Sequence, residues 1–100
     1  MPKYTTEKVF GHYLYFTSFC IIEAMHVHAG DENLSESKSA KFFVKADGTS
    51  VVKRRGDMTK VQQRGIQEYI KKNYLRMYAL WSSVSANGFY VGKLNARGQK

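Results

Sequence analysis

A chain of 100 residues with 43% apolar and 14% aromatic residues can fold as one domain around one core, and it is neither a disordered chain nor a multidomain protein. Its net charge of +8 is uneven: residues 1–50 carry five Lys against six acids, whereas residues 51–100 carry eleven Lys and Arg against Asp57 and Glu68. No apolar run approaches the ~18 residues that span a bilayer, and MPKYTTEKVF holds no signal-like apolar stretch, so no membrane span and a cytoplasmic location are expected.

In chain order, residues 1–7 read as a frayed lead-in, and the near-alternating aromatic run Gly11 to Phe16 reads as a first strand. Phe19 to Val27 reads as a second strand, turned back around Thr17-Ser18, with the lone Cys20 as a buried free thiol. Gly30 to Ser39 is polar and acidic and reads as a loop. Ala40 to Lys45 and Ser50 to Arg55 flank Asp47-Gly48, two residues that tolerate positive φ, which predicts a β-hairpin. Gly56-Asp57-Met58 then breaks the sheet.

The longest periodic stretch runs from Thr59 to Ser85. Ile66, Tyr69, Ile70, Asn73, Tyr74, Met77, Leu80, Trp81 and Val84 recur at helical spacing, predicting one core-facing arc, with Lys60, Arg64, Lys71 and Lys72 opposite. Thr59 with Gln62 three residues on has the form of a capping box, and Asn87-Gly88 can supply a left-handed close. Gly65 weakens the helix and suits close packing on the sheet. Leu75 and Tyr78 leave the core arc and suit a partner-facing surface. Phe89-Tyr90-Val91 reads as a short last strand, and Lys93 to Lys100 as a basic frayed tail. The expected fold is α+β: a single domain over residues 1–100, with an antiparallel sheet of about four strands packed against one long C-terminal helix.

Two features could carry chemistry. His26 and His28, two apart in a strand, stand on one side of it and could ligate a metal, exchange protons or hold phosphate when protonated; ordinary half-exposed strand histidines are the plain reading. Further metal ligands would have to come from His12, Cys20, Glu23, Asp31, Glu32 and Glu36, none at a recognised spacing. If the strands are neighbours, His26 or His28 could serve as base and Arg54 or Arg64 as stabiliser in metal-free RNA cleavage, with Lys41 nearby. The second feature is Lys53-Arg54-Arg55 with Lys60 and Arg64, five cations within twelve residues. Together with Lys71 and Lys72 they are candidate phosphate contacts, although charge runs also guard sheet edges.

Across residues 10 to 81 the layout resembles the bacterial family catalogued as domain of unknown function 4160. The likeness lies in the aromatic strand Phe10 to Phe16, the His-Val-His-Ala segment 26–29, the Ala-Lys-Phe strand 40–42, the Asp-Gly hairpin and a helix ending in Trp81. Met25 stands where that family usually has Pro. The resemblance implies an α+β fold with one main helix, a bacterial or phage origin and a protein partner, and it supplies no activity. The expected function is a small basic protein that binds nucleic acid, RNA more than DNA, as the toxin-like member of a toxin–antitoxin-type pair, without a cofactor. Its alternatives are a protein-interaction module, such as a phage or mobile-element inhibitor of a defence enzyme docking on an acidic partner, and a metal-dependent enzyme using the histidine pair.

Overall fold

The structure, a computed structural model, describes residues 3–16, 23–30 and 39–91. It contains β1 (Tyr13–Tyr15), β2 (His26–Gly30), β3 (Ala40–Val44), β4 (Ser50–Arg54) and α1 (Lys60–Ser82). The four strands form one antiparallel sheet in the order β1-β2-β3-β4, with α1 packed across it, so the chain is α+β.

Alternation assigns the faces. Leu14 pairs with Ala29, Ala29 with Ala40, Val27 with Phe42, and Phe42 with Val52; these side chains meet Ile66, Ile70, Met77 and Trp81 of α1 in the core. Tyr15, His28 and Lys41 occupy successive paired positions of the other face, beside the pair His26 and Phe43.

The hairpin forms where Asp47-Gly48 predicts it. Lys45 N–H donates to Thr49 O at 2.8 Å, Gly48 takes φ +89°, and Asp47 Oδ1 accepts from the Thr49 amide and hydroxyl. Between β3 and β4 the register shifts: Val52 lies opposite Phe42, but Arg54 lies opposite Lys41. The extra residue, Lys53, is a β-bulge, and it moves Arg54 from the helix side of the sheet, where simple alternation after Val52 would put it, to the histidine side.

Several boundaries differ from expectation. β2 begins at His26, and Glu23 to Met25 of the expected strand are outside it; the run from Phe19 up to Ile22, the expected turn at Thr17-Ser18, Cys20, loop residues 31–38 and the tail from residue 92 lie outside the described residues. The lead-in is not frayed from Lys3 onward: Lys3 bridges Tyr15, Tyr4 N–H donates to Leu14 O at 2.7 Å, and Tyr4 and Thr5 are buried. The capping box of Thr59 and Gln62 is complete, but α1 stops at Ser82. Ser83 is its C-cap in an ordinary right-handed conformation, and the Ser83 hydroxyl turns back to Leu80 O at 2.7 Å. Asn87-Gly88 therefore does not close the helix. Asn87 O instead accepts the Trp81 indole N–H at 2.8 Å, and Gly88 O accepts the Met25 amide.

Leu80, within α1, and Val84, beyond its end, are exposed rather than core, while Tyr69, Asn73 and Tyr74 are half-buried. Tyr78 is not a free surface aromatic, since Phe89 stacks on it with centroids 4.2 Å apart. Residues 89–91 form no strand but one parallel bridge, Lys45 to Tyr90. Gly65 faces the Phe10 ring, not the sheet.

Candidate nucleic-acid interface and the buried histidine pair

The cations expected to hold phosphate fall on two sides of α1. Lys53 and Arg55 lie at the end of β4, an edge of the described sheet, and both are exposed. Lys60, Arg64 and Lys71 recur at helical spacing along the flank of α1 beside that edge, where Gln67 Nε2 reaches Ser50 O at 3.0 Å. Arg64, Lys71, Glu68, Thr49 and Ser50 line a shallow groove of about 280 Å³ between the two elements. At 1.5 Å rise per residue, Lys60 to Lys71 spans roughly 16 Å. Among the described residues Lys53, Arg55, Lys60, Arg64, Lys71 and Lys72 form no salt bridge, although Asp47 feels the charge of Lys71 and Glu68 lies between Arg64 and Lys71 on the helix. Lys72 points away from this strip, on the flank it shares with Arg76, a cation the sequence reading left out although it sits one turn further on.

Arg54 belongs elsewhere. It is half-buried, and its Nε donates to Ser39 O at 2.9 Å. The bulge brings it with Lys41 to the histidines, whereas Arg64 is on the helix and away from them.

His26 and His28 do stand together, with ring centroids 5.1 Å apart and edge to face, but both are fully buried rather than half-exposed. Their neighbours explain why. Tyr15 stacks on His28 at 5.4 Å, while Phe43 and Trp81 pack against His26 at 5.5 and 5.6 Å. His26 Nδ1 lies 2.8 Å from Ala24 O, which can only accept, so that nitrogen carries the proton. His28 Nδ1 lies 3.1 Å from the Ser39 hydroxyl. Burial, and then the neighbouring His26, Lys41 and Arg54, push His28 down to about 3, against the pull of a hydrogen bond to the Ala40 backbone. At neutral pH this ring is uncharged and supplies no cation for phosphate.

Glu23 sits over the pair, with its Oε1 2.8 Å from Lys41 Nζ and 3.7 Å from His26 Nδ1. Partial burial pushes its carboxyl up, but Lys41 and then the two histidines outweigh this and hold it below the usual carboxylate range. Among the described residues no three His, Cys, Asp or Glu side chains gather as metal ligands, and no helix is long and apolar enough to cross a membrane.

Comparison with family models, with curated proteins and with solved structures returns no match for this chain.

Proposed function

We propose that the protein binds nucleic acid, RNA in preference to DNA, through the strip formed by Lys53, Arg55, Lys60, Arg64 and Lys71. The observation that carries this is the alignment of these five exposed cations along one sheet edge and the adjoining helix flank, with Glu68 the one acid in the groove between them. α1 is seated on the sheet rather than projecting as a groove-reading helix, and the strip suits a flexible single strand laid along it. Binding rather than cleavage is the favoured activity, because both histidines are fully buried and His28, pushed down to about 3, is too weak a base. Membership of a toxin–antitoxin-type pair would add a protein partner on a different face.

The test is binding of labelled single-stranded RNA and duplex DNA at two salt concentrations by wild type and by a Lys53/Arg55/Lys60/Arg64→Ala variant. Arg54 is left intact because its guanidinium braces Ser39. Each phosphate contact on a single strand contributes about 0.7 to the log–log salt slope, so four lost contacts should lower it by nearly 3. Affinity that is indifferent to salt, or unchanged in the variant, overturns the proposal.

A second reading, a protein-interaction module, is favoured by Val61 and Leu75, which are 72% and 66% exposed on the outer surface of α1. One stoichiometric protein co-purifying without RNA would favour it, with Leu75→Asp releasing that partner.

A further inference from the structure

On the flank of α1 away from the cationic strip, the segment from Tyr4 to Phe10 stands off the helix and leaves an open groove of about 610 Å³. Its lining includes Phe10, Tyr69 and Arg76. This volume is in the range of small-molecule sites.

Phe10 is held there against its own backbone preference. Val9 and His12 exchange hydrogen bonds of 2.7 and 3.0 Å across Phe10-Gly11, and both central residues have positive φ, +49° and +82°. That is the signature of a type I′ turn, in which the first central residue is ordinarily Asn, Asp or Gly. A bulky residue with positive φ is a true outlier, and such strain persists where the surroundings over-determine it. Here they do: Phe10 O receives Gln62 Nε2 at 3.3 Å and lies 2.9 Å from His12 Nδ1, and the ring lies over Gly65, where any Cβ would overlap it. Despite these restraints the ring is not buried. It stays 53% exposed.

Arg76 is equally fixed and equally unspent. Its two terminal nitrogens donate to Tyr4 O at 3.1 Å and to the Tyr69 hydroxyl at 2.8 Å, both neutral acceptors. Among the described residues it has no carboxylate partner, so a pre-oriented guanidinium keeps its full charge at the groove, with Lys72 one turn away on the same flank. Glu7, also in the lining, is the one acid there. An aromatic ring held half-exposed, a second ring in the same lining and a fixed guanidinium with N–H groups to spare are what a nucleotide needs: a face for its base and a charged donor for its phosphate.

We propose that this groove seats a single nucleotide, its base against Phe10 and Tyr69 and its phosphate on Arg76, either free or as one unit of a bound strand. The strand-borne case rests on the nucleic-acid reading above; the free-nucleotide case does not. The experiment is a ¹H–¹⁵N NMR titration of the full chain with a nucleoside 5′-monophosphate, with ribose 5-phosphate and with inorganic phosphate, followed by the same titrations on Phe10→Gly, Gly65→Ala and Arg76→Gln. Phe10→Gly removes the ring while suiting the positive φ, and Gly65→Ala displaces the ring while leaving it in the chain, so the two variants fail to fold for different reasons if they fail at all.

The expected result is saturable shifts of the Phe10, Tyr69 and Arg76 amides with the nucleotide, at least about fivefold weaker binding of ribose 5-phosphate, and a loss of about fivefold or more in Phe10→Gly and Gly65→Ala. Arg76→Gln should weaken nucleotide and inorganic phosphate alike. Equal binding of the nucleotide and its base-free analogue, shifts confined to the β4 side, or no saturable shift overturns the proposal. Salt-sensitive RNA binding with no nucleotide in the groove overturns this inference alone, and a seated nucleotide without RNA binding overturns only the reading of the cationic strip.

Discussion

Replacing His28 by Gln should flatten the acid limb of the stability profile. In the folded protein His28 stays neutral down to about pH 3, whereas in the unfolded chain it takes up its proton near 6.5. The unfolded state therefore binds more protons below pH 6.5, and this group costs stability as the pH falls from there to about 3, at up to about 1.4 kcal/mol per pH unit. Between pH 6 and pH 4 the full shift integrates to about 2.5 kcal/mol, and relaxation around the ring brings the expected figure to about 2. Against a total stability of roughly 5–15 kcal/mol for a small domain, this is a large share. The assay is urea unfolding of wild type and His28→Gln at pH 6, 5 and 4. Gln keeps an amide that can meet the Ser39 hydroxyl, and the comparison is of slopes, because the new side chain shifts stability at every pH. Asp47 and Glu23, both held low in the folded state, also lose stability as pH falls; Asp47 does so equally in both proteins, and Glu23 nearly so, because Lys41 and not His28 is its main partner. Wild-type and variant profiles that run parallel within about 0.5 kcal/mol would refute the burial argument for His28.

Gly48→Ala should cost about 2 kcal/mol in urea unfolding, because φ is +89° and the new Cβ would stand 2.7 Å from Tyr74 Cδ1; a neutral result would mean the hairpin turn is wrongly placed. Trp81→Phe should lower stability by about 2 kcal/mol, through packing lost against Phe16 and a carbonyl left at Asn87 without its indole donor, read by circular-dichroism melting. Thr59→Ala should cost about 1 kcal/mol and Thr59→Ser much less, since only the hydroxyl reaches the Gln62 amide; equal losses in both would point away from capping.

Local chemistry made part of this fold legible in advance. Asp47-Gly48 announces its turn because few residues accept that backbone, and Ile66, Ile70, Met77 and Trp81 announce the buried stripe because no strand would space them so. Periodicity could not show where α1 stops. Leu80 and Val84 keep the pattern, but the end is decided by the Trp81 indole meeting a carbonyl six residues on and by Ser83 turning back on Leu80. Likewise, the two-residue spacing of His26 and His28 gives their shared side but not their depth, which depends on Tyr15, Phe43 and Trp81 arriving from three other segments. The bulge at Lys53 leaves no local mark, so Arg54 could not be separated from Lys53 and Arg55. Phe10-Gly11 was missed for the opposite reason: a Phe is a poor choice for the turn it occupies, and preference-based reading passes over such positions.

The cations of the second half admit a plain structural explanation, and the structure limits how far it reaches. β4 is an edge of the described sheet, and Lys53 and Arg55 at its end would discourage pairing with another chain whatever else they do. That account does not extend to Lys60, Arg64 and Lys71, which lie on a helix whose backbone bonds are already satisfied within it. Placing three further like charges within roughly 16 Å of one flank, beside two more at the end of the strand, raises mutual repulsion that Glu68, one turn from Arg64, offsets only in part. Glu68 lines the groove there and Asp47 feels Lys71, but neither forms a salt bridge with the strip, whereas on the other side of the sheet Lys41 is paired with Glu23 at 2.8 Å. The cation beside the histidines is paired and the five along the strip have no salt bridge among the described residues, and that contrast is what supports the proposed contact with a polyanion.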